Sequence, residues 1–563
     1  MIDARFTPPF RLRPGASLAF LVSVALLITA LHAVNLTADS PDGFAADDIG
    51  LRVDEGYKTL APRNLALFGS VKWSEADEYD GWFSGSPLTQ SLMYLSFSVA
   101  EPSVGVARAT ALIYFLCLVV IVLLAHRGFL SNASLLMLAA LLAAEPFLFF
   151  FSRVALFEVA LAAFVALAFL LLRRFGYGHA WLPLAIVIAV TVAAFVLIKI
   201  SAVLYFLPAM AALAFFAAWH SNPKVALPVL LATFAVLLVL LLSTHEVWVR
   251  RLDLQALASL PSRVLTDPLS ALSPWVTALA WFCIADSIRI SGRKLIDDPY
   301  FLAVAATVVG VPVLLGLLSY APPRYFVAVM PAQILAIGFW LGAARSAGVS
   351  EGLHWTAKLV SVALLSVAVF AVLWAVANAV LPLTPLPQGE TAGISGPGAI
   401  RLLFPIAVAL ALLLVFAGWR GPSRSGLLPR AGVQALLVVA VVSGLYQASE
   451  VWMEPSYSSH EIRERLADVV EPGEATAGDW APFFALGTRL PAIYSSSGWN
   501  RGKVILELCP TFFVHSGTRH DDAVVESYAV VAGVTVEDLQ ILGAYAGNLV
   551  VLKRLHYPDG ECE

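Results

Sequence analysis

The sequence contains few charged residues for its length. Asp, Glu, Lys and Arg make up 13% of the 563 residues, whereas about one quarter is typical of a soluble globular chain. Hydrophobic residues make up 59%, and the mean hydropathy is +0.82. This composition excludes an ordinary soluble domain and predicts a polytopic membrane protein. The formal net charge of -4 is close to balance, so it gives no reason to expect nucleic acid as a partner.

The sequence motifs of nucleotide and zinc sites are also missing. No P-loop is present, and no GxGxxG opens a strand-helix unit, so a soluble nucleotide is not expected as a substrate. The four cysteines form no CxxC or Cys/His pattern of the zinc type. Cys117 and Cys283 lie in apolar runs and are expected to be buried. Cys509 and Cys562 share the polar C-terminal segment and are predicted to form a disulfide in an oxidising compartment.

Long apolar runs are abundant. Crossing roughly 30 Å of hydrocarbon takes about 20 residues, and thirteen runs approach that length. The first run follows the basic segment RFTPPFRLRPG, but no cleavage site stands out, so we expect an uncleaved anchor with a cytoplasmic N-terminus. The predicted spans are 16–35, 104–125, 132–151, 154–172, 181–198, 202–219, 225–243, 270–288, 300–319, 325–344, 358–381, 399–418 and 431–449.

The charges of the connecting loops agree with this orientation. Alternate loops, among them AHRGF, LLRRFG and RISGRK, would face the cytoplasm, and each of them is basic, as the positive-inside rule requires. We therefore predict a multi-pass protein of the inner or plasma membrane, mainly α-helical, with its active site outside. Residues 1–449 would form the transmembrane catalytic domain, with a first outer loop over 36–103. Residues 450–563 read as strands and a helix of an extracytoplasmic α/β domain.

The first outer loop is rich in acids. Between Leu36 and Ser86 it carries ten Asp or Glu and four Lys or Arg. Most of these acids are expected to be solvated, and the acidic loop could bind a divalent cation. No other cofactor is predicted. His515, His520, Asp521 and Asp522 lack known ligand spacing and are read as solvated loop residues without a role.

Two segments of this loop have helical amphipathic patterns. DEGYKTL is predicted as a short interfacial helix with Asp54 and Lys58 one turn apart. Pro62 is expected to kink or restart that helix. PLTQSLMYLSFSV, from Pro87, is too short and polar to span and is expected to lie along the surface.

Four charged residues fall at or near the ends of apolar runs: Arg153, Glu158, Lys199 and Arg324. In the predicted topology all four come to the outer face. Snorkelling towards the headgroups explains any single cation of this kind. Several of them together, beside an acidic loop, fit better with a shared anionic ligand such as a lipid phosphate.

These segments resemble the GT-C glycosyltransferases, in particular the bacterial branch related to protein O-mannosyltransferases and to the lipid A aminoarabinose transferase. The resemblance covers roughly the N-terminal 220 residues and the stretch near Arg324. It rests on DEGYKTLAPRNLALFG, SPLTQSLMYLSF, ARATALIYFLCLVVIVLLAHRGF, EPFLFFFSRVALFEVALAAF and PPRYFVAVMPAQ.

The resemblance implies an inverting transferase that moves a hexosyl or pentosyl group from a polyprenyl-phosphate sugar to a lipid, glycan or protein acceptor. Asp54 would be the general base, and Glu55 beside it would support the catalytic site. Ser86 stands before Pro87 where aminoarabinose transferases carry a Lys, so the phosphate contacts of that branch do not transfer. The candidates for the donor phosphate are therefore Lys58, Arg153, Lys199, Arg324 and Tyr325, with Glu158 as a supporting acid.

The residues are chemically sufficient for that reaction. A sugar on a lipid phosphate already has a stabilised leaving group, so the site needs cations and one base rather than a strong acid. Two alternatives stay open: a multi-pass transporter or flippase for lipid-linked sugars, and an oligosaccharide ligase. Transporters commonly contain two related halves. The sequence shows no such repeat, which favours an enzyme.

Overall fold

The structure is a computed structural model. It describes residues 17–40, 49–79, 85–221, 274–291, 297–318, 322–343, 427–496 and 498–558, with a few single positions besides. The predicted spans 358–381 and 399–418, and nearly all of 225–243, lie outside the described residues.

Helices occupy the other ten predicted runs. Five helical segments of the described residues are long and apolar enough to cross a membrane, judged by length and composition, and shorter apolar helices accompany them. A mainly helical, polytopic membrane protein is therefore confirmed, and the number of spans stays a prediction. The helices up to Met453 are α1 (Leu18–Ala33), α2 (Ile49–Phe68), α3 (Pro87–Val99), α4 (Val104–His126), α5 (Asn132–Ala144), α6 (Pro146–Phe151), α7 (Glu158–Phe175), α8 (Leu182–Leu197), α9 (Ala202–His220), α10 (Pro274–Ser291), α11 (Pro299–Gly316), α12 (Met330–Ala343) and α13 (Leu427–Met453).

The run predicted at 132–151 is broken in the middle. Helix α5 ends at Ala144, and Glu145 begins α6, with its carboxylate accepting the Leu148 N–H at 2.7 Å. Pro146 takes the first position of α6, where its missing N–H costs nothing. The chain then turns before α7 starts at Glu158. This break places a charged, non-helical stretch at the end of the bundle.

Helix α2 continues through Pro62, so the proline does not restart the helix there. A proline inside a helix leaves the carbonyl four residues earlier without its N–H partner, here the carbonyl of Lys58. The Gln90 amide of α3 donates to that carbonyl at 3.1 Å. The two amphipathic segments therefore pack on each other, and the contact compensates for the lost hydrogen bond.

The C-terminal region contains a small mixed sheet with helices, as predicted. Strand order is β2-β1-β3-β5-β4, in which β1 runs parallel to β2 and β3 while β5 is antiparallel to β3 and β4. Cys509 and Cys562 form the predicted disulfide. The elements are α14 (Ser458–Val469), β1 (Thr476–Gly478), α15 (Ala481–Ala485), β2 (Ala492–Tyr494), α16 (Ile505–Leu508), β3 (Phe512–His515), α17 (Arg519–Ala532), β4 (Thr535–Tyr545) and β5 (Asn548–His556).

This C-terminal region packs on α2. A Cβ on Gly56 would lie 2.6 Å from the backbone nitrogen of Phe483, so only glycine allows α15 to approach so closely. Further along α2, the buried guanidinium of Arg63 donates to the carbonyls of Leu490 at 2.6 Å and Thr488 at 3.1 Å. Apolar packing and these hydrogen bonds hold the C-terminal region against α2, the helix that contains the DEG segment.

Several polar residues differ from their expected exposure. Asp39 and Asp77, expected to be solvated, are buried acceptors: Asp39 binds the Ser459 N–H, and Asp77 binds the Asn500 amide at 2.7 Å. Asp521 is buried as well and accepts the Ser516 N–H at 2.6 Å. Burial is possible because each carboxylate finds donors.

The two cysteines of the apolar runs behave differently. Cys283 is buried, as expected, whereas Cys117 is exposed on the outer face of α4. A helix that spans a membrane can present apolar side chains to lipid, so an apolar run does not by itself imply burial within the protein.

Candidate active site

Asp54 lies in an ion pair at the boundary between α2 and the helical bundle. Its Oδ2 atom is 2.5 Å from Nη1 of Arg324, and only 4% of the residue is exposed. Burial and the neighbouring Asp54 carboxylate raise the pKa of the Tyr57 hydroxyl. Arg324 belongs to a 3-10 helix, Pro323–Val329, which leads into α12. The sequence therefore brings a predicted base and a predicted phosphate ligand into direct contact.

Arg324 also connects Asp54 to a second carboxylate. Its Nε atom lies 3.8 Å from Oε1 of Glu158, the first residue of α7. The same Oε1 accepts a hydrogen bond of 2.8 Å from Nζ of Lys199, which sits in the turn between α8 and α9. The Tyr325 ring lies beside both cations, 4.8 Å from the Lys199 ammonium and 5.7 Å from the Arg324 guanidinium carbon. Cation–π contact of this kind holds the ring and the cations together.

Lys58 lies close to these residues and is 6% exposed. Its ammonium is 4.6 Å from the centre of the Phe157 ring, and within the described part of the chain no carboxylate comes within ion-pair distance of it. Burial lowers the pKa of this ammonium to about 8, although the nearby Glu158 carboxylate acts in the opposite direction. A buried cation without a paired anion is costly, so its position favours an anionic ligand.

These contacts define what we call the central group. Three cations and two carboxylates meet in it, so it has one positive charge in excess. Its members come from α2, the start of α7, the turn before α9 and the 3-10 helix before α12. The central group consists of Asp54, Lys58, Glu158, Lys199, Arg324 and Tyr325.

The Glu55 carboxylate binds residues outside the central group. Arg108 of α4 binds it through two hydrogen bonds, Nε to Oε1 at 2.8 Å and Nη2 to Oε2 at 2.9 Å. The Ala155 N–H also donates to Oε1 at 3.1 Å. Arg108 in turn donates to the Ala38 carbonyl at 2.6 Å. Glu55 thus fastens α2 to the bundle, with its oxygens already occupied.

Arg153 is separated from the central group by its partners. Its guanidinium donates to the carbonyls of His32 at 2.6 Å, Val34 at 2.5 Å and Asn35 at 2.5 Å. These carbonyls belong to the end of α1, where helical carbonyls lack partners within the helix. No contact in the described part of the chain joins Arg153 to Asp54. The structure therefore assembles six of the eight predicted site residues and leaves Glu55 and Arg153 outside.

Sequence reasoning allowed the C-terminal domain to cover the site or to hold the acceptor, but it identified none of the residues involved. Asp479 lies just after β1, and Tyr494 of β2 contacts Tyr57 of α2 with 5.1 Å between ring centroids, which brings this part of the sheet close to the helix that carries Asp54. Burial and, next, the neighbouring carboxylate of Asp521 raise the pKa of the Asp479 carboxyl to about 7. No spacing in the sequence indicates that the Asp479 region lies close to α2, because this proximity depends on how the sheet docks on that helix. Arg108 does have a signal in the sequence, because it is a lone Arg within an apolar run.

Within the described residues, no group of three or more His, Cys, Asp or Glu is arranged to hold a metal ion. Four acids of the first loop, Asp42, Asp47, Asp48 and Asp80, lie outside those residues. A divalent cation near that loop stays a prediction.

Comparison with known proteins identifies the fold. No protein-family model matches the sequence, and no curated protein matches it. Among solved structures, ArnT from Cupriavidus metallidurans in the apo state, a lipid A aminoarabinose transferase, matches with a TM-score of 0.52 and 14% identity over 95% of this chain and 97% of that chain. The chain thus has the fold of this polytopic membrane protein, which confirms the fold that the GT-C resemblance implied.

Two further solved structures match at lower scores. ArnT from Cupriavidus metallidurans bound to undecaprenyl phosphate has a TM-score of 0.49 and 14% identity, with 95% of this chain and 97% of that chain covered. The arabinosyltransferase EmbB from Mycobacterium smegmatis has a TM-score of 0.42 and 16% identity, with 86% of this chain and 44% of that chain covered.

Proposed function

We propose that the protein is an inverting glycosyltransferase that uses a polyprenyl-phosphate sugar as donor. The observation that carries this proposal is the central group itself, in which three largely buried cations surround the Asp54 and Glu158 carboxylates beside the apolar bundle. The ArnT fold agrees with a reaction of this kind. The polyprenyl chain stays in hydrocarbon in this account, and only the phosphosugar enters the polar site.

The cations of the central group bind the donor phosphate. A polyprenyl-phosphate sugar is a phosphodiester with one negative charge, which balances the single excess positive charge of the group. Lys58 is the first candidate because its ammonium has no paired carboxylate among the described residues, and Lys199 and Arg324 complete the site. When the bond to the sugar breaks, the leaving phosphate gains negative charge, and buried cations stabilise that charge strongly.

Asp54 acts as the base. Binding of the phosphate draws the Arg324 guanidinium towards the new anion, and the Asp54 carboxylate then accepts the proton of the acceptor hydroxyl. The acceptor oxygen forms its bond to the anomeric carbon while the bond from that carbon to the phosphate oxygen breaks, and its electron pair stays with the phosphate. A single displacement of this kind inverts the anomeric carbon.

The remaining predicted residues have supporting roles in this proposal. Glu158 holds Lys199 and Arg324 in place through Oε1. Glu55 is a positioning residue, because its contacts with Arg108 and Ala155 fix the helix that carries Asp54. Arg153 is assigned to the end of α1 rather than to the donor. We place the site on the outer face of the cell membrane, since the basic loops would face the cytoplasm.

A donor assay tests the proposal and separates it from the alternatives. The full chain in lipid nanodiscs is incubated with undecaprenyl-phosphate hexoses and pentoses that carry a labelled sugar, with a membrane extract as the acceptor source. The proposal predicts release of undecaprenyl phosphate together with a labelled product. A flippase would leave the donor intact, and an oligosaccharide ligase would transfer only preassembled chains. An intact donor after incubation with every sugar would overturn the proposed function.

A further inference from the structure

Asp479 belongs to a second set of polar residues on the C-terminal side of α2, and this set differs in charge from the central group. The residue is 9% exposed, and its Oδ1 atom is buried without a hydrogen-bond partner among the described residues. His520 Nε2 lies 3.8 Å from Oδ2 of the same carboxyl group. An unused carboxyl oxygen at the edge of a reaction site is available to bind a polar group of a ligand.

Aromatic rings line the same region. Tyr494 contacts Tyr57 of α2 with 5.1 Å between ring centroids, and it contacts Tyr79 of the first loop at 4.8 Å. Tyr79 in turn contacts Trp499 edge-on at 5.8 Å. Trp499 is the outermost of these rings, with 37% of the residue exposed. Three separate segments of the chain therefore supply one aromatic cluster, which is buried at Tyr79 and Tyr494 and reaches solvent at Trp499.

The two sets of residues near Asp54 therefore favour ligands of different charge. The central group is cationic and suits a phosphate. The region of Asp479 combines carboxyl groups with aromatic faces, and no Lys or Arg of the described residues forms an ion pair with Asp479. Aromatic faces suit the C–H surfaces of a sugar ring, and carboxyl oxygens suit its hydroxyl groups. Two neighbouring carboxylates repel an anion.

We propose that Asp479, Tyr494 and Trp499 form the acceptor site and that the acceptor is an uncharged saccharide, without an anionic substituent near the reacting hydroxyl. This inference rests on the proposed function, because it assigns the second substrate of the same reaction. The C-terminal region then completes the site, since it brings its carboxyl and aromatic side chains to the base.

Binding of simple sugars in the absence of donor tests the inference separately from the transfer reaction. The probes are methyl hexosides and methyl pentosides, each compared with its monosulfate ester, and binding to the full chain in nanodiscs is followed by ligand-observed NMR. A sulfate keeps its charge at all working pH values, so the comparison isolates the effect of that charge. Because a sulfate could also bind at the cations, the series is repeated in the Arg324→Gln background.

We expect the wild-type protein to bind an uncharged glycoside at least about tenfold more tightly than its sulfate ester. At a pH of about 8.5, above the raised pKa of Asp479, Asp479→Asn should weaken binding of the uncharged glycoside by about tenfold, since it replaces a hydrogen bond to a charged group, while it strengthens binding of the sulfate ester. Changes in opposite directions cannot come from general damage to the fold. The matched control is Asp468→Asn, at an exposed position of α14, and it should change neither affinity.

Trp499→Ala provides a second variant at a partly exposed side chain, and it should weaken binding of the uncharged glycosides when affinity is measured on the folded fraction of the protein. The inference is overturned if the sulfate esters bind the wild-type protein as tightly as the uncharged sugars, or if Asp479→Asn leaves both affinities unchanged. Failure of the donor assay would instead remove the proposed function, and these sugar affinities would still stand as measured.

Discussion

The Oδ2 atom of Asp54 lies 2.5 Å from the Nη1 atom of Arg324, which joins α2 to the beginning of α12. One predicted base and one predicted phosphate ligand thus share an ion pair before any substrate is bound. Binding of an anionic donor would redistribute this pair, and the expected effects of individual substitutions depend on that relationship.

Arg324→Gln and Lys199→Gln should each raise the KM for the donor. Both cations lie beside Glu158, and removal of one charge-assisted contact to the phosphate should weaken donor binding by about 10- to 100-fold. Steady-state kinetics with a polyprenyl-phosphate sugar measure the effect. Arg489→Gln serves as the control, because the Arg489 side chain is 82% exposed and its variant should behave as wild type. An unchanged donor KM in Arg324→Gln would remove Arg324 from the phosphate site.

Donor affinity should fall as the pH rises through about 8, which is the pKa to which burial lowers the Lys58 ammonium. Below that pH Lys58 is protonated and attracts the phosphate, and above it the positive charge is lost. Binding of a polyprenyl-phosphate sugar, a diester whose charge does not change in this range, should show this decline in the wild-type protein between about pH 6.5 and about pH 9.5. In Lys58→Gln the same decline should be missing and the affinity should be low throughout. A wild-type decline that persists in Lys58→Gln would assign the titration to another group.

Glu55→Gln and Arg108→Gln should lower stability more than they lower the intrinsic rate of transfer. Breaking a buried ion pair by removing one partner costs about 3 to 5 kcal/mol, because the other charge is left unpaired. The double variant should therefore lose less stability than the sum of the two single variants. Thermal unfolding in nanodiscs measures this, and activity per folded molecule should fall, because α2 is held less firmly, but by much less than in Asp54→Asn. Additive losses of stability would argue against a direct pair.

Gly56→Ala should loosen the docking of the C-terminal region on α2. A Cβ at this position would come within 2.6 Å of the Phe483 backbone nitrogen, and a backbone atom cannot yield as a flexible side chain does. We expect faster proteolysis of the segment that follows α13 and slower transfer, with membrane insertion unchanged. Gly69→Ala is the control, because no atom lies within 4 Å of a Cβ added at Gly69. The positive φ of Gly69 does add some backbone strain to this variant. Wild-type protease resistance in Gly56→Ala would contradict the contact.

The site residues that could be predicted from the sequence are charged residues that interrupt or end apolar runs. Glu158, Lys199 and Arg324 are charged residues at the ends of apolar runs. Because charges near the membrane interior are costly, those that are present usually mark a functional site. The roles of Glu55 and Arg153 could not be predicted in the same way. Their partners are Arg108 and three backbone carbonyls, and a carbonyl that needs a donor has no signature in the sequence.

The same reasoning explains the other differences between prediction and structure. Pro62 was expected to kink or restart α2. The helix does not restart there, and the Gln90 amide of another helix satisfies the carbonyl that the proline leaves open. Asp479 comes near α2 only because the sheet region docks on that helix, and contacts between distant segments depend on the tertiary fold. The helices and the charged residues of the central group follow from local patterns, whereas the position of the C-terminal region follows from docking.

The assignment of Asp54 as the base is tested most directly by the single-turnover rate of sugar transfer in Asp54→Asn. The substitution keeps the size and the hydrogen-bonding capacity of the side chain but removes its ability to accept a proton. We predict that the transfer rate falls by about 100-fold or more, that donor binding is no weaker than in the wild type, and that Asp468→Asn retains the wild-type rate. A transfer rate in Asp54→Asn close to that of the wild type would contradict the account and leave Asp54 with a structural role.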